Sequence, residues 1–159
     1  MIAWPVSDLL PHAGAAILID EVLSFDEERL SAQATVRPDG LYSEPDGAQP
    51  SWVGIEIMAQ AVAAWAGCQA RMHGRRVALG FLLGTRRYAC AWTSFPPGLR
   101  LRVDVERSLH AESGIGLFEC HLRHAGTRLA HARLTVYQPP DAAAFLANPT
   151  TDPTQATQV

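Results

Sequence analysis

The chain has 159 residues, thirteen basic against sixteen acidic side chains, a net charge of -3 and three cysteines. That length fits one domain, and a chain of this size buries roughly two thirds of the surface its unfolded form exposes, so a core is expected without staples. The balanced charge, with no long block of one sign, argues against a nucleic-acid surface; Cys68, Cys90 and Cys120 are odd in number and lack metal-ligand spacing, which fits a reducing cytoplasm.

The opening MIAWPVSDLL lacks the basic and long apolar regions of an export signal. Two strand-like runs in AAILIDEVLSFDEERLSAQATV flank the polar cluster Phe25-Asp26-Glu27-Glu28, which predicts an antiparallel hairpin or a bent pair of strands. Residues 37–49 carry Pro38, Asp39, Gly40, Pro45, Asp46 and Gly47 and read as a loop. Pro50 and Ser51 are suited to start a helix, with the Ser51 hydroxyl as its cap.

That helix, over residues 51–70, is apolar on every side as far as Cys68 and is expected to be enclosed by protein. It is long enough to cross a membrane, but it is rich in alanine and glycine and interrupted by Glu56, Gln60 and Gln69, so a buried helix is the better reading. His73, Arg71, Arg75 and Arg76 complement its C-terminal end, and Gly74 suits a left-handed cap.

Strands follow. Residues 77–90 form one; in residues 99–107 Leu99, Leu101, Val103 and Val105 alternate with Arg100, Arg102, Asp104 and Glu106; residues 117–123 and 129–137 flank His124-Ala125-Gly126-Thr127 as a hairpin. His121 and His131 fall on the polar face with Arg123 and Arg133, and His110 and His124 at turns, positions that favour solvation over metal ligation. The outline is α+β: one domain over residues 1–139, then a tail over residues 140–159 with a short helix at Asp141 to Ala147 and a polar, disordered end.

Glu56 is the lone charged residue between Gly47 and Ala70. A carboxylate in such a setting costs several kcal/mol unless it has a partner or a task. Gln60, four positions on, shares its helix face and satisfies it in the simplest structural reading. In the functional reading, an apolar site favours the neutral form of Glu56 and makes it a proton donor or acceptor, while backbone N–H groups at the helix start, near Ser51, Trp52, Val53 and Gly54, hold a carbonyl oxygen that gains charge. Those four residues and Gln60 are the candidate substrate-binding set, and thioester chemistry suits it.

Leu9-Leu10-Pro11-His12, Ile17-Leu18-Ile19-Asp20-Glu21-Val22, Glu56-Ile57-Met58-Ala59-Gln60 and Pro97-Gly98 resemble, in order and spacing, the hotdog-fold 3-hydroxyacyl-ACP dehydratases. Trp52-Val53-Gly54-Ile55-Glu56, Leu83-Gly84-Thr85-Arg86-Arg87-Tyr88 and Val136-Tyr137-Gln138-Pro139 are closer still to a divergent subgroup, the dehydratases of aryl polyene pigment clusters. The resemblance implies a bent antiparallel sheet wrapped around one central helix, and subunits paired edge to edge as a homodimer or a heterodimer with a related hotdog subunit. It also implies an apolar acyl tunnel, a phosphopantetheine-linked substrate brought by acyl carrier protein, and no metal or redox cofactor.

It makes Glu56 the catalytic carboxylate. The family's G-H-F-P histidine is missing, since Tyr42 stands at that spacing within Gly40-Leu41-Tyr42-Ser43-Glu44-Pro45. His12 is the leading replacement base and Tyr42 the weaker one, because a phenol accepts protons poorly at neutral pH. An acyl thioesterase, and a non-catalytic subunit paired with an active homologue, are the rival readings. Trp52, Trp65 and Phe81 are candidates for the tunnel wall.

Overall fold

The computed structural model describes residues 2–140. The first two strand-like runs form the expected hairpin, β1 (Ile19–Phe25) with β2 (Arg29–Thr35). Asp26 sets its turn: Oδ1 accepts the N–H groups of Glu28 and Arg29, each at 2.8 Å, and these two bonds hold the carboxyl below its ordinary value.

Gln49, expected to end the loop, and Pro50, expected to start the helix, instead form a short strand, β3 (Gln49–Pro50). The helix, α1, runs Val53–Met72, and the Ser51 hydroxyl does not cap it; the Ser51 carbonyl serves instead, accepting the Gly54 N–H at 3.0 Å and the Tyr88 hydroxyl. A Cβ on Gly54 would stand 2.4 Å from the Tyr88 oxygen, so glycine is required where the phenol crosses the helix start. At the other end the expectation holds: His73 closes the helix and Gly74 takes a φ of +64°.

The remaining strands are β4 (Phe81–Cys90), β5 (Ser94–Phe95), β6 (Arg100–His110), β7 (Ile115–His124) and β8 (Thr127–Tyr137). Six strands form one antiparallel sheet in the order β1-β2-β6-β7-β8-β4, while β3 pairs with β5 beside the helix start. β4 begins four residues later than the alternation from Val77 predicts.

The inner face of the sheet carries Leu101, Val103 and Val105 of β6, Phe118, Cys120 and Leu122 of β7, and Leu134 of β8, all buried against α1. Each such aliphatic side chain contributes about 1.5–3 kcal/mol by leaving water. Ala32 and Ala34 of β2 and Ala130 and Ala132 of β8 are also buried, in the same core as Met58 and Trp65 of α1. The outer face is polar and ion-paired: Asp104 meets Arg102 and Arg123, and Glu119 meets Arg133 and His131. His121 and His131 stack there with ring centroids 5.0 Å apart, as their place on the polar face suggested.

Ahead of β1, two 3-10 turns (Val6–Asp8 and Gly14–Ala16) bracket Pro11 and His12. The first is docked on α1. A Cβ on Gly67 would lie 2.3 Å from the Leu9 carbonyl oxygen, Leu9 and Leu10 are buried, and Arg71 donates to the Asp8 carbonyl at 3.2 Å. Gly67→Ala must therefore push this segment off the helix. It is expected to cost about 1–3 kcal/mol in a denaturant titration, and unchanged stability would count against this docking. The tail helix expected at Asp141 to Ala147 lies outside the described residues.

Candidate active site

α1 is not enclosed on every side, contrary to expectation. Glu56, Ala59, Ala63 and Ala66 lie along one half-buried face. Their spacing of three and four residues puts them in a stripe, and the stripe floors a cleft of about 290 Å³. From Glu56 to Ala66 the helix advances about 15 Å at 1.5 Å per residue. The opposite wall comes from β4, β7 and β8 and includes Phe81, Gly116, Phe118, Val136 and Tyr137, while Trp65 packs edge-on against Phe118 at 5.4 Å. The lining is thus mostly apolar, with ionisable groups at Glu56 and His12 and also at His110 and Tyr137.

The carboxylate is less enclosed than its apolar sequence context predicts, with 32 % of its side chain exposed, because the face that carries it opens into this cleft. His12 stands beside it, with Nε2 3.5 Å from Glu56 Oε1 and 30 % of its side chain exposed. The His12 Nδ1 is buried and has no hydrogen-bond partner. The ring nitrogen available to the cleft is therefore Nε2, on the same side as the carboxyl group.

Gln60 lies behind this pair and is completely buried. Its Oε1 accepts the Leu18 N–H at 2.8 Å, and its Nε2 donates to the Ala16 carbonyl at 2.7 Å and to Glu56 Oε1 at 3.0 Å. The sequence pairing of Glu56 with Gln60 is thus a hydrogen bond, but Gln60 faces the protein and not the cleft.

The other candidate substrate-binding residues lie apart from the cleft. Val53 is buried and Gly54 is covered by Tyr88 and Leu122. The Ser51 N–H donates to Thr93, and the Gly54 and Ile55 N–H groups donate to Ser51 and Trp52, so these amides do not wait for a ligand. Trp52 is 55 % exposed and packs edge-on against Tyr42 at 5.7 Å. Nearness to Glu56 along the chain does not mean a shared surface, because the helix start is already bonded to Thr93, just ahead of β5, and to Tyr88 of β4. The cleft residues that sequence reading missed, Ala59, Ala63 and Ala66, had a signal in their helical spacing from Glu56.

Among the described residues no group of three His, Cys, Asp or Glu side chains is placed to hold a metal. Cys68 and Cys120 are core residues; burial pushes the Cys68 thiol up to about 11 and that of Cys120 higher still. Among those residues, too, no helix is long and apolar enough to cross a membrane.

An antiparallel sheet wrapped around one long helix, with a helix carboxylate facing a cleft, defines a hotdog-fold protein. Comparison of the sequence with protein families carries this further: residues 4–147 match the ApeP-like family, described as ApeP dehydratase, and the chain belongs to that family. No curated protein matches the sequence.

Among solved structures the chain is similar to the dehydratase heterocomplex ApeI:P from Xenorhabdus doucetiae, with 30 % identity over 94 % of this chain and 100 % of that one and a TM-score of 0.86. A mutant thioesterase from Pseudomonas aeruginosa (16 % identity, 77 % of this chain and 82 % of that one, TM-score 0.55) shares the fold. So does the PaaI protein of the E. coli phenylacetic acid degradation operon (12 % identity, 74 % and 82 %, TM-score 0.58).

Proposed function

We propose that this chain dehydrates a 3-hydroxyacyl thioester, carried on the phosphopantetheine arm of an acyl carrier protein, to the trans-2-enoyl thioester in a fatty-acid-like or aryl polyene pathway. The observation that carries this reading is the approach of His12 Nε2 to Glu56 Oε1, at 3.5 Å, where the apolar cleft begins. Dehydration needs a base at C2 and an acid at the 3-hydroxyl, both within reach of one substrate. Neutral His12 takes the C2 proton at Nε2. The electron pair forms the C2–C3 double bond, the C3–O bond breaks, and protonated Glu56 gives its proton to the departing oxygen, which leaves as water. The acyl chain lies along the Ala59, Ala63 and Ala66 stripe toward Phe118.

Membership of a dehydratase family favours this over hydrolysis, since the mutant thioesterase compared above shares only the fold. Incubation of the purified chain with 3-hydroxyacyl-ACP, followed by mass spectrometry, is expected to yield acyl-ACP lighter by one water. Release of free acid and thiol without enoyl product would refute the reading in favour of a thioesterase.

Pairing with a related hotdog subunit is part of the same proposal. Its support is the likeness to a dehydratase heterocomplex and the mostly exposed strand β4 at the end of the sheet. Because His12 and Glu56 belong to one chain, activity of the isolated chain is expected, and activity only after a partner is added would favour the non-catalytic reading.

A further inference from the structure

One row of charges on the outer face of the sheet ends without a partner. Arg29, Glu106, Glu119, Arg133 and Arg86 stand opposite one another in turn on β2, β6, β7, β8 and β4. Arg29 pairs with Glu106 at 3.0 Å and Arg133 with Glu119 at 2.5 Å, so both carboxylates are taken before the row reaches Arg86. β4 ends the sheet on this side, and the next place in the row belongs to a strand that this chain does not supply. Among the described residues the guanidinium groups of Arg86 and Arg87, both exposed, have neither an ion pair nor a hydrogen bond.

The backbone points to the same place. Between Arg86 and Ala89 the pairing with β8 is broken by a bulge, and there Arg87 has a φ of +57°, a conformation that glycine or asparagine takes with less strain. Strain of this kind persists where the side chain has a task. An edge charged only to stay unpaired is the plainer explanation of two arginines and a bulge. Leu82 and Leu83 count against it, because they leave apolar surface exposed on the strand that a guard would keep polar.

We propose, resting on the subunit pairing put forward above, that Arg86 and Arg87 make β4 a selective edge: it rejects a second copy of this chain and takes the edge strand of a different subunit that sets carboxylates opposite them. β4 contains no Asp or Glu, and along the chain none stands between Glu56 and Asp104. In every register of β4 against its own copy, each arginine therefore faces a neutral residue or another arginine. Like charges on facing strands weaken their pairing, and twofold symmetry repeats each such contact. A carboxylate on the partner strand instead continues the row past Arg86, as Glu119 does for Arg133.

Analytical ultracentrifugation of the natural chain and of the double variant Arg86→Glu, Arg87→Glu, each alone and mixed in equal amounts, tests this. At low salt the mixture is expected to associate at least about tenfold more tightly than either chain alone, since only there do opposite charges meet across the edge. At about 1 M salt, where the screening length is about 3 Å, self-association of the natural chain should tighten and association of the mixture should loosen. Hydrogen exchange at residues 81–90 should slow in the mixture, which locates the contact on β4.

A natural chain that pairs with itself at low salt as tightly as the mixture does, with β4 protected, leaves the pairing standing and overturns the selection. A mixture that fails to associate at either salt makes β4 a guarded edge and overturns both. Association that leaves the amides of residues 81–90 unprotected places the contact elsewhere and also overturns the proposal. The salt response of the natural chain needs no variant, and self-association that does not tighten at high salt counts against the selection in the same way. None of these measurements uses a substrate, so loss of the dehydratase chemistry alone would leave them unchanged.

Discussion

Glu56→Gln is expected to lower kcat for dehydration of a 3-hydroxyacyl-ACP by a factor of about 10² to 10⁴, the range that a positioned general acid supplies. The substitution separates chemistry from architecture. Its amide oxygen can take the place of Oε1 and still accept the Gln60 N–H, while its nitrogen replaces the oxygen that would carry the proton. The shape and the network behind the site survive; the transferable proton does not. KM should change by less than about threefold, and stability by no more than about 0.5 kcal/mol, because no buried group loses its partner. Turnover equal to that of the natural protein would sink the mechanism, and a large loss of stability would make Glu56 a structural residue.

Much of this site was legible before any coordinates, and the reasons are local. A charged residue alone in an apolar helix has few explanations, and its i+4 neighbour is geometrically compelled to meet it, so the Glu56 and Gln60 pair follows from helical period alone. The β6 alternation fixed which residues face the core, and the Ala125-Gly126 turn fixed how β7 and β8 pair. Each of these depends on contacts between residues close in sequence, or on a strict period of two.

What escaped depends on distant chain. Nothing around Gly67 announces that Leu9 lies against it, yet that contact and the Gln60 bonds to residues 16 and 18 deliver His12 to Glu56. Helix hydropathy also misled. Alanines at 59, 63 and 66 read as core because they are apolar, whereas here they form the floor of a cleft, and a floor for an apolar chain has the same composition as a core. At the helix start the Ser51 and Gly54 amides, expected to be free, are taken up by Thr93, just ahead of β5, and by the turn itself, a tertiary fact that no capping pattern records.

The choice of base carries the second large effect. His12→Gln is expected to lower kcat by about 10² to 10⁴, again the range for a lost acid-base group, while Tyr42→Phe should leave it within about twofold. The difference follows from position. His12 lines the cleft with Nε2 beside Glu56, whereas Tyr42 packs its ring against Trp52 at the helix start and is not among the cleft residues. If Tyr42→Phe proves the more damaging change, the phenol at the position of the missing family histidine has kept the catalytic role, and the proximity of His12 to Glu56 serves only to seat the N-terminal segment.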